Sequence, residues 1–341
     1  MLDFPRMAVV GWIPSCASLW FLFNPSWWPF IAGAAALVLC LPRIRKEVSS
    51  ARGLDRITLF GPIFLAVPMA VFGADHFVFA KSIANLVPSW IPGHLFWAYF
   101  VGVCLLAGAL SLVVDRYANL AAALFGTMLF LFVILMDIPA ILEAPSDRIV
   151  WALTFRDLTF GAGALSFAAA RTPARWTRPA KIVLLLVRLE IGLAAIFYGL
   201  EHLLHPEFKP GVPLEQLTPL WIPLGLPWGY LTGIVLVITG VALVWNKRTD
   251  LAATLLGLML LLLVIVVYVP ITIAEPLAID NGLNFLGDTL MFGGIVLCLA
   301  GSYRPKVSAY EKGSTAVNMS SGTEKESLRD AAMPARSRNT S

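Results

Sequence analysis

The chain has 341 residues, of which 58% are hydrophobic and 13% charged, with a formal net charge of +4. Soluble domains carry about 45–50% apolar and about 25% charged residues, so lipid is the expected solvent and soluble cofactor enzymology is not supported. The small positive charge is scattered beside apolar segments, which argues against a nucleic-acid partner.

Apolar segments fall near 7–23, 27–42, 57–79, 95–114, 118–140, 150–170, 181–204, 228–245, 251–273 and 284–302. About 20 helical residues cross about 30 Å of hydrocarbon, so the expectation is an all-α polytopic membrane protein with about ten transmembrane helices, the first two short. The N-terminal stretch has Arg6 and is broken by Pro14, with no clear small-residue cleavage site, and is not read as a removed signal peptide. Ile13-Pro14-Ser15-Cys16 makes a poor lipoprotein signal.

Basic residues then set the orientation. Arg43, Arg45, Lys46, Arg52 and Arg56 precede the third segment, Arg116 follows the fourth, and Arg171, Arg175, Arg178 and Lys181 follow the sixth. Lys247, Arg248, Arg304 and Lys306 continue the alternation, while the opposite loops carry Lys81, Glu143, Asp147, Glu207, Lys209, Glu215 and Asp280, with few basic residues. The positive-inside rule puts both termini in the cytoplasm, as expected for a multi-pass protein of a bacterial inner membrane. From 305 to 341 the sequence is polar, rich in Ser, Thr and charge, and reads as a disordered cytoplasmic tail.

The segments repeat. Pro88-Ser89-Trp90-Ile91-Pro92 with Trp97, Tyr99 and Gly102 returns as Pro219-Leu220-Trp221-Ile222-Pro223 with Trp228, Tyr230 and Gly233. The match continues without a gap through Gly126 and Gly257, Pro139 and Pro270, and Asp157 and Asp288. Upstream, Gly73-Ala74-Asp75-His76 aligns with Gly199-Leu200-Glu201-His202 after an insertion of about five residues in the second loop. The expected division is therefore 1–50, an N-terminal hydrophobic hairpin and basic loop; 51–174 and 175–304, two four-helix repeats; and the tail. Four spans per copy make the repeats parallel, related by an axis along the membrane normal.

Both copies end their first helix on an acid and a histidine, Asp75-His76 and Glu201-His202, ahead of the proline- and tryptophan-containing loop. Histidine can shuttle protons or ligate a cofactor, and a neighbouring acid can tune it; a hydrogen-bonded helix end is the competing structural reading. Asp157 and Asp288 lie within apolar helices and need water, a partner or protonation. Arg156 is adjacent to Asp157, but neighbouring helical residues are not expected to face one another. Arg188 and Glu190 replace Pro62 and Phe64 of the first copy, and Asp137 aligns with Tyr268, so these charges mark asymmetry and a candidate substrate or ion pathway. Arg188 and Glu190 are two residues apart, and each should seek a partner on another helix.

Trp90, Trp97, Trp221 and Trp228 read as interfacial anchors, and the prolines between them as a rigid lid over one end of each bundle. Gly102, Gly126, Gly233 and Gly257 are suited to close helix packing. Cys16, Cys40, Cys104 and Cys298 include no CxxC pair and no Cys/His cluster at metal-ligand spacing, so no metal site is expected.

Gly73, His76, Pro88, Trp97 and Gly102, repeated as Gly199, His202, Pro219, Trp228 and Gly233, resemble the DoxX-like family of bacterial membrane proteins, with the unit duplicated over about 55–304. The family includes subunits linked to quinone-dependent sulfur oxidation. The resemblance implies a respiratory or redox-associated membrane component, with quinone or haem as cofactor and other membrane redox subunits as partners; the missing cysteine pair departs from thiol-linked relatives. A small-solute or ion transporter with a site between the repeats, and a scaffold or assembly factor without catalysis, remain the alternatives.

Overall fold

The computed structural model describes residues 24–171, 177–211, 216–279 and 282–303. The expected first span at 7–23 and the tail after 304 lie outside the described residues. Among the described residues nine long helices form: α1 (Trp28–Ser50), α2 (Gly61–Val78), α3 (His94–Val113), α4 (Ala118–Glu143), α5 (Arg148–Ala170), α6 (Thr177–Leu204), α7 (Gly225–Val244), α8 (Thr249–Ala274) and α9 (Leu283–Tyr303). Eight of them, all but α5, are long and apolar enough to cross a membrane, and the protein is an all-α polytopic membrane protein. The helix expected to be short at 27–42 instead runs on to Ser50, because Arg43 and Glu47 pair one turn apart at 2.7 Å and carry it past the apolar stretch.

α5 is as long as the others, but Arg156 and Asp157 in its middle lower its hydropathy. Such a helix needs protein rather than lipid around it. It is packed between α4, α6 and α9. α9 is the other central helix, with 89% of its most apolar stretch buried.

The eight helices from α2 to α9 make a closed ring in chain order, in which α9 returns to pack on α2. α5 and α9 cross inside the ring at Gly163, where Ile295 occupies the space a side chain would need. The two halves are thus not bundles closed on themselves: the last helix of each half packs on the first helix of the other. α1 lies outside, against α2, where Gly33 admits Val71.

Local geometry recurs in the two halves. Gly93 and Leu224 open α3 and α7 with φ of +75° and +65°, and Asp115 and Tyr117 (φ +54°, +59°) are matched by Asn246 and Arg248 (φ +55°, +47°) in the next turn. Trp97 Nε1 donates to the Pro92 carbonyl at 3.1 Å, as Trp228 Nε1 does to Pro223 at 2.9 Å. α4 and α8 each contain a π-turn, Val133–Asp137 and Val264–Tyr268, followed at the next position but one by Pro139 and Pro270. Proline lacks the N–H of a regular turn and collides with the carbonyl four residues earlier; one wider turn relieves both faults.

At the basic end Asp115 accepts from Arg43 at 3.1 Å and Arg171 at 2.8 Å, tying α1, the α3–α4 turn and the end of α5.

Candidate functional site

The site is assembled from the far end of α2. Close approach of α3 fixes it: a Cβ on Gly102 would stand 2.7 Å from that of His76 and 3.1 Å from the Gly73 carbonyl, so glycine is required there. His76 Nδ1 lies 2.7 Å from the Phe72 carbonyl oxygen. A carbonyl only accepts, so Nδ1 carries the proton and Nε2 of the neutral ring keeps its lone pair. Asp75 beside it is 5% exposed.

α5 contributes Arg156 and Asp157. Their side chains do meet, Nε to Oδ1 at 2.9 Å, contrary to the expectation for helical neighbours. The guanidinium folds back on its flexible stem because the surroundings offer little competing water. Its other arm reaches Asp288 on α9 at 3.6 Å, so one cation links carboxylates on both central helices.

Two adjoining cavities of about 310 and 480 Å³ open between these helices in the first half. Both are walled by His76, Val101, Met128, Phe132, Arg156 and Asp157. The smaller extends to Asp75, Asn284 and Asp288; the larger runs through apolar side chains toward Val87, Pro88 and Ile91, so the proline loop closes one end as a lid. Phe100 of α3 and Leu131 of α4, 47% and 49% exposed, are part of its wall. Trp97 is also part of this wall, a role the anchor reading did not include.

The second half differs. Its inserted loop turns inward through an isolated bridge between Phe208 and Leu217 and buries Lys209, Pro210 and Gly211. The N–H and the carbonyl oxygen of Gly211 both lie 3.0 Å from His202 Nε2, and the Tyr268 hydroxyl donates to the Pro210 carbonyl at 2.7 Å. Gly211 has φ +132°, and a Cβ there would stand 2.9 Å from Thr289 Oγ1, so no other residue fits. Lys209 is 1% exposed, donates to Gln216 at 2.8 Å and lies over the Phe285 ring; burial pushes its amine below the usual lysine range. Glu201 pairs with Arg148 at 3.0 Å rather than acting on His202.

The remaining candidates separate by environment. Arg188 gives its guanidinium to the carbonyls of Leu243 and Val244 at the end of α7, and Glu190 accepts from Thr159 on α5 at 2.9 Å. Each therefore has a partner on another helix and neither walls the first-half cavities. Asp137, ending the α4 π-turn, is close enough to Asp157 and Arg156 to feel their charges, and its Oδ2 is buried without a partner.

Asp157 and Asp288 do not occupy matching places in the packing. Gly126 faces the carbonyl of Gly161 and Leu165, whereas Gly257 faces Leu297 and the carbonyl of Gly293. α9 is advanced by one residue relative to the gapless alignment, because small residues that admit a neighbouring helix set the register. Asp288 consequently answers to Arg156, and Thr289 to Asp157. Neither the Arg156 bridge nor the inward loop was read from the sequence; the insertion ahead of Pro219 was the available signal for the second.

No protein-family model, curated protein or solved structure matches the chain.

Proposed function

We propose that this chain is a DoxX-like, redox-associated component of a bacterial cytoplasmic membrane, with both termini cytoplasmic, built by duplication of a four-helix unit. Its first half binds a quinone-type amphiphile and works with other membrane redox subunits.

The cavity carries this reading. Ligand sites are typically concave, about 300–1,000 Å³ and mostly apolar with a few convergent polar groups. Here an apolar cavity of about 480 Å³, whose wall includes the half-exposed Phe100 and Leu131, reaches His76, Arg156 and Asp157. An apolar tail suits the cavity and a polar ring suits its end. When bound, such a group supplies two-electron redox chemistry; the chain's own residues would hold the head, exclude water and offer hydrogen bonds. Haem is less well supported, since His202 is engaged by Gly211 in the other half. A transport path through Arg188 and Glu190 is less well supported too, because both are held by helix–helix hydrogen bonds.

The test is the absorption spectrum and lipid extract of detergent-purified protein. Near-stoichiometric quinone in wild type and His202→Ala, lost in His76→Ala, is the expected result. A colourless, quinone-free wild type, or loss confined to His202→Ala, would overturn the reading.

A further inference from the structure

In the second half Tyr268 stands at the position of Asp137. Between His202 and Tyr268 the chain inserts its own backbone: the N–H and the carbonyl oxygen of Gly211 both lie 3.0 Å from His202 Nε2, and the neighbouring Pro210 carbonyl accepts from Tyr268. The second-half histidine is thus occupied by a peptide group of the chain itself.

Among the described residues no chain segment does this in the first half, and two groups on the cavity wall, His76 and Arg156, are defined. His76 has committed Nδ1 to the Phe72 carbonyl, which leaves Nε2 of the neutral ring as an acceptor on the cavity wall. At the π-turn a carboxylate replaces the tyrosine donor, and Asp137 Oδ2 is a buried acceptor without a partner. Arg156 supplies donors on the same wall. A carbonyl presented to His76 would meet a lone pair and leave that acceptor unmatched, whereas a hydroxyl can donate to Nε2 and accept from the guanidinium. A buried polar group left unmatched costs more than a matched one returns, so the mismatch decides between such ligands.

Resting on the amphiphile-site reading above, we infer that the first-half cavity selects a head bearing a hydroxyl group, a hydroquinol or long-chain phenol, which donates to His76 Nε2 in the place that the Gly211 peptide group takes at His202. The oxidised, carbonyl-only form is the weaker ligand.

The experiment compares affinities of the purified full-length protein for decylubiquinol, decylubiquinone and the dimethyl ether of the quinol, measured anaerobically by thermophoresis. The buffer is held at about pH 8, where an imidazole of ordinary pKa, about 6.5, is neutral. Expected is at least about tenfold tighter binding of the quinol than of the quinone or the ether, a difference of about 1.4 kcal/mol. His76→Gln, whose amide can turn either oxygen or nitrogen to the guest, should bring the quinone level with the quinol, and His202→Ala should leave the preference intact. Equal or tighter binding of the quinone by wild type would overturn this inference while leaving the cavity reading standing. Failure of all three probes to bind would overturn both.

Discussion

Tyr268 holds the Pro210 carbonyl at 2.7 Å from the position that Asp137 occupies in the other half. Equivalent π-turns deliver a donor in one half and a carboxylate in the other. The donor grips the chain's own loop; the carboxylate keeps a buried Oδ2 without a partner. Tyr268→Phe should therefore loosen the loop by about 0.5–1.5 kcal/mol, the usual net value of one hydrogen bond. Hydrogen exchange of 206–211 should quicken while ligand binding in the first half is unchanged. Unaltered exchange would mean that this bond does not hold the segment.

Arg156 is the shared partner of Asp157 and Asp288. Removing one member of a buried ion pair leaves uncompensated charge and costs about 3–5 kcal/mol. Arg156→Leu should lower thermal stability in micelles to that degree, and adding Asp157→Asn should recover part of the loss. Simple additivity of the two substitutions within about 0.5 kcal/mol would show that the groups are not coupled.

Gly102 and Gly233 meet similar crowding with different consequences. A Cβ at Gly102 would press on His76 at 2.7 Å, while one at Gly233 would press on the Gly199 carbonyl at 2.9 Å. Both alanine variants should be destabilised by about 1–3 kcal/mol through overpacking. Gly102→Ala should also weaken binding of the quinol probe, and Gly233→Ala should not. Equal loss of binding in the two would separate the site from His76.

Arg188 satisfies carbonyls at the C-terminal end of α7, where a cation also opposes the helix dipole. Arg188→Leu should cost about 1–3 kcal/mol of stability, the penalty for unsatisfied buried groups, and leave ligand affinity unchanged. Solute flux in liposomes that vanished in this variant without loss of stability would favour the transport alternative.

Length and hydropathy act locally, so the helices were legible in the sequence: of the ten apolar segments, eight form described helices long and apolar enough to span, while 150–170 forms a helix that falls short of that apolarity and 7–23 lies outside the described residues. The polar positions were legible as positions and not as roles. Asp75, His76, Glu201 and His202 look equivalent in sequence, yet Glu201 is paired with Arg148 and His202 with the Gly211 amide, while His76 walls a cavity. Arg188 and Glu190 signalled cost by being charged inside helices, and only their neighbours revealed that α7 and Thr159 meet part of it, with Arg188 Nε and Glu190 Oε2 left buried without a partner.

The sequence by itself determined an all-α membrane protein, the recurring Pro-Trp-Pro loops and the extra residues ahead of Pro219, because apolar length and residue spacing are properties of the chain alone. Tertiary structure decided that each half lends its last helix to the other, that Arg156 bridges α5 and α9, and that the extra residues fill one half while the other stays open. These outcomes depend on which faces pack together. Helix faces meet through small residues such as Gly126 and Gly163, where a shift of one position redirects every side chain without altering any local pattern.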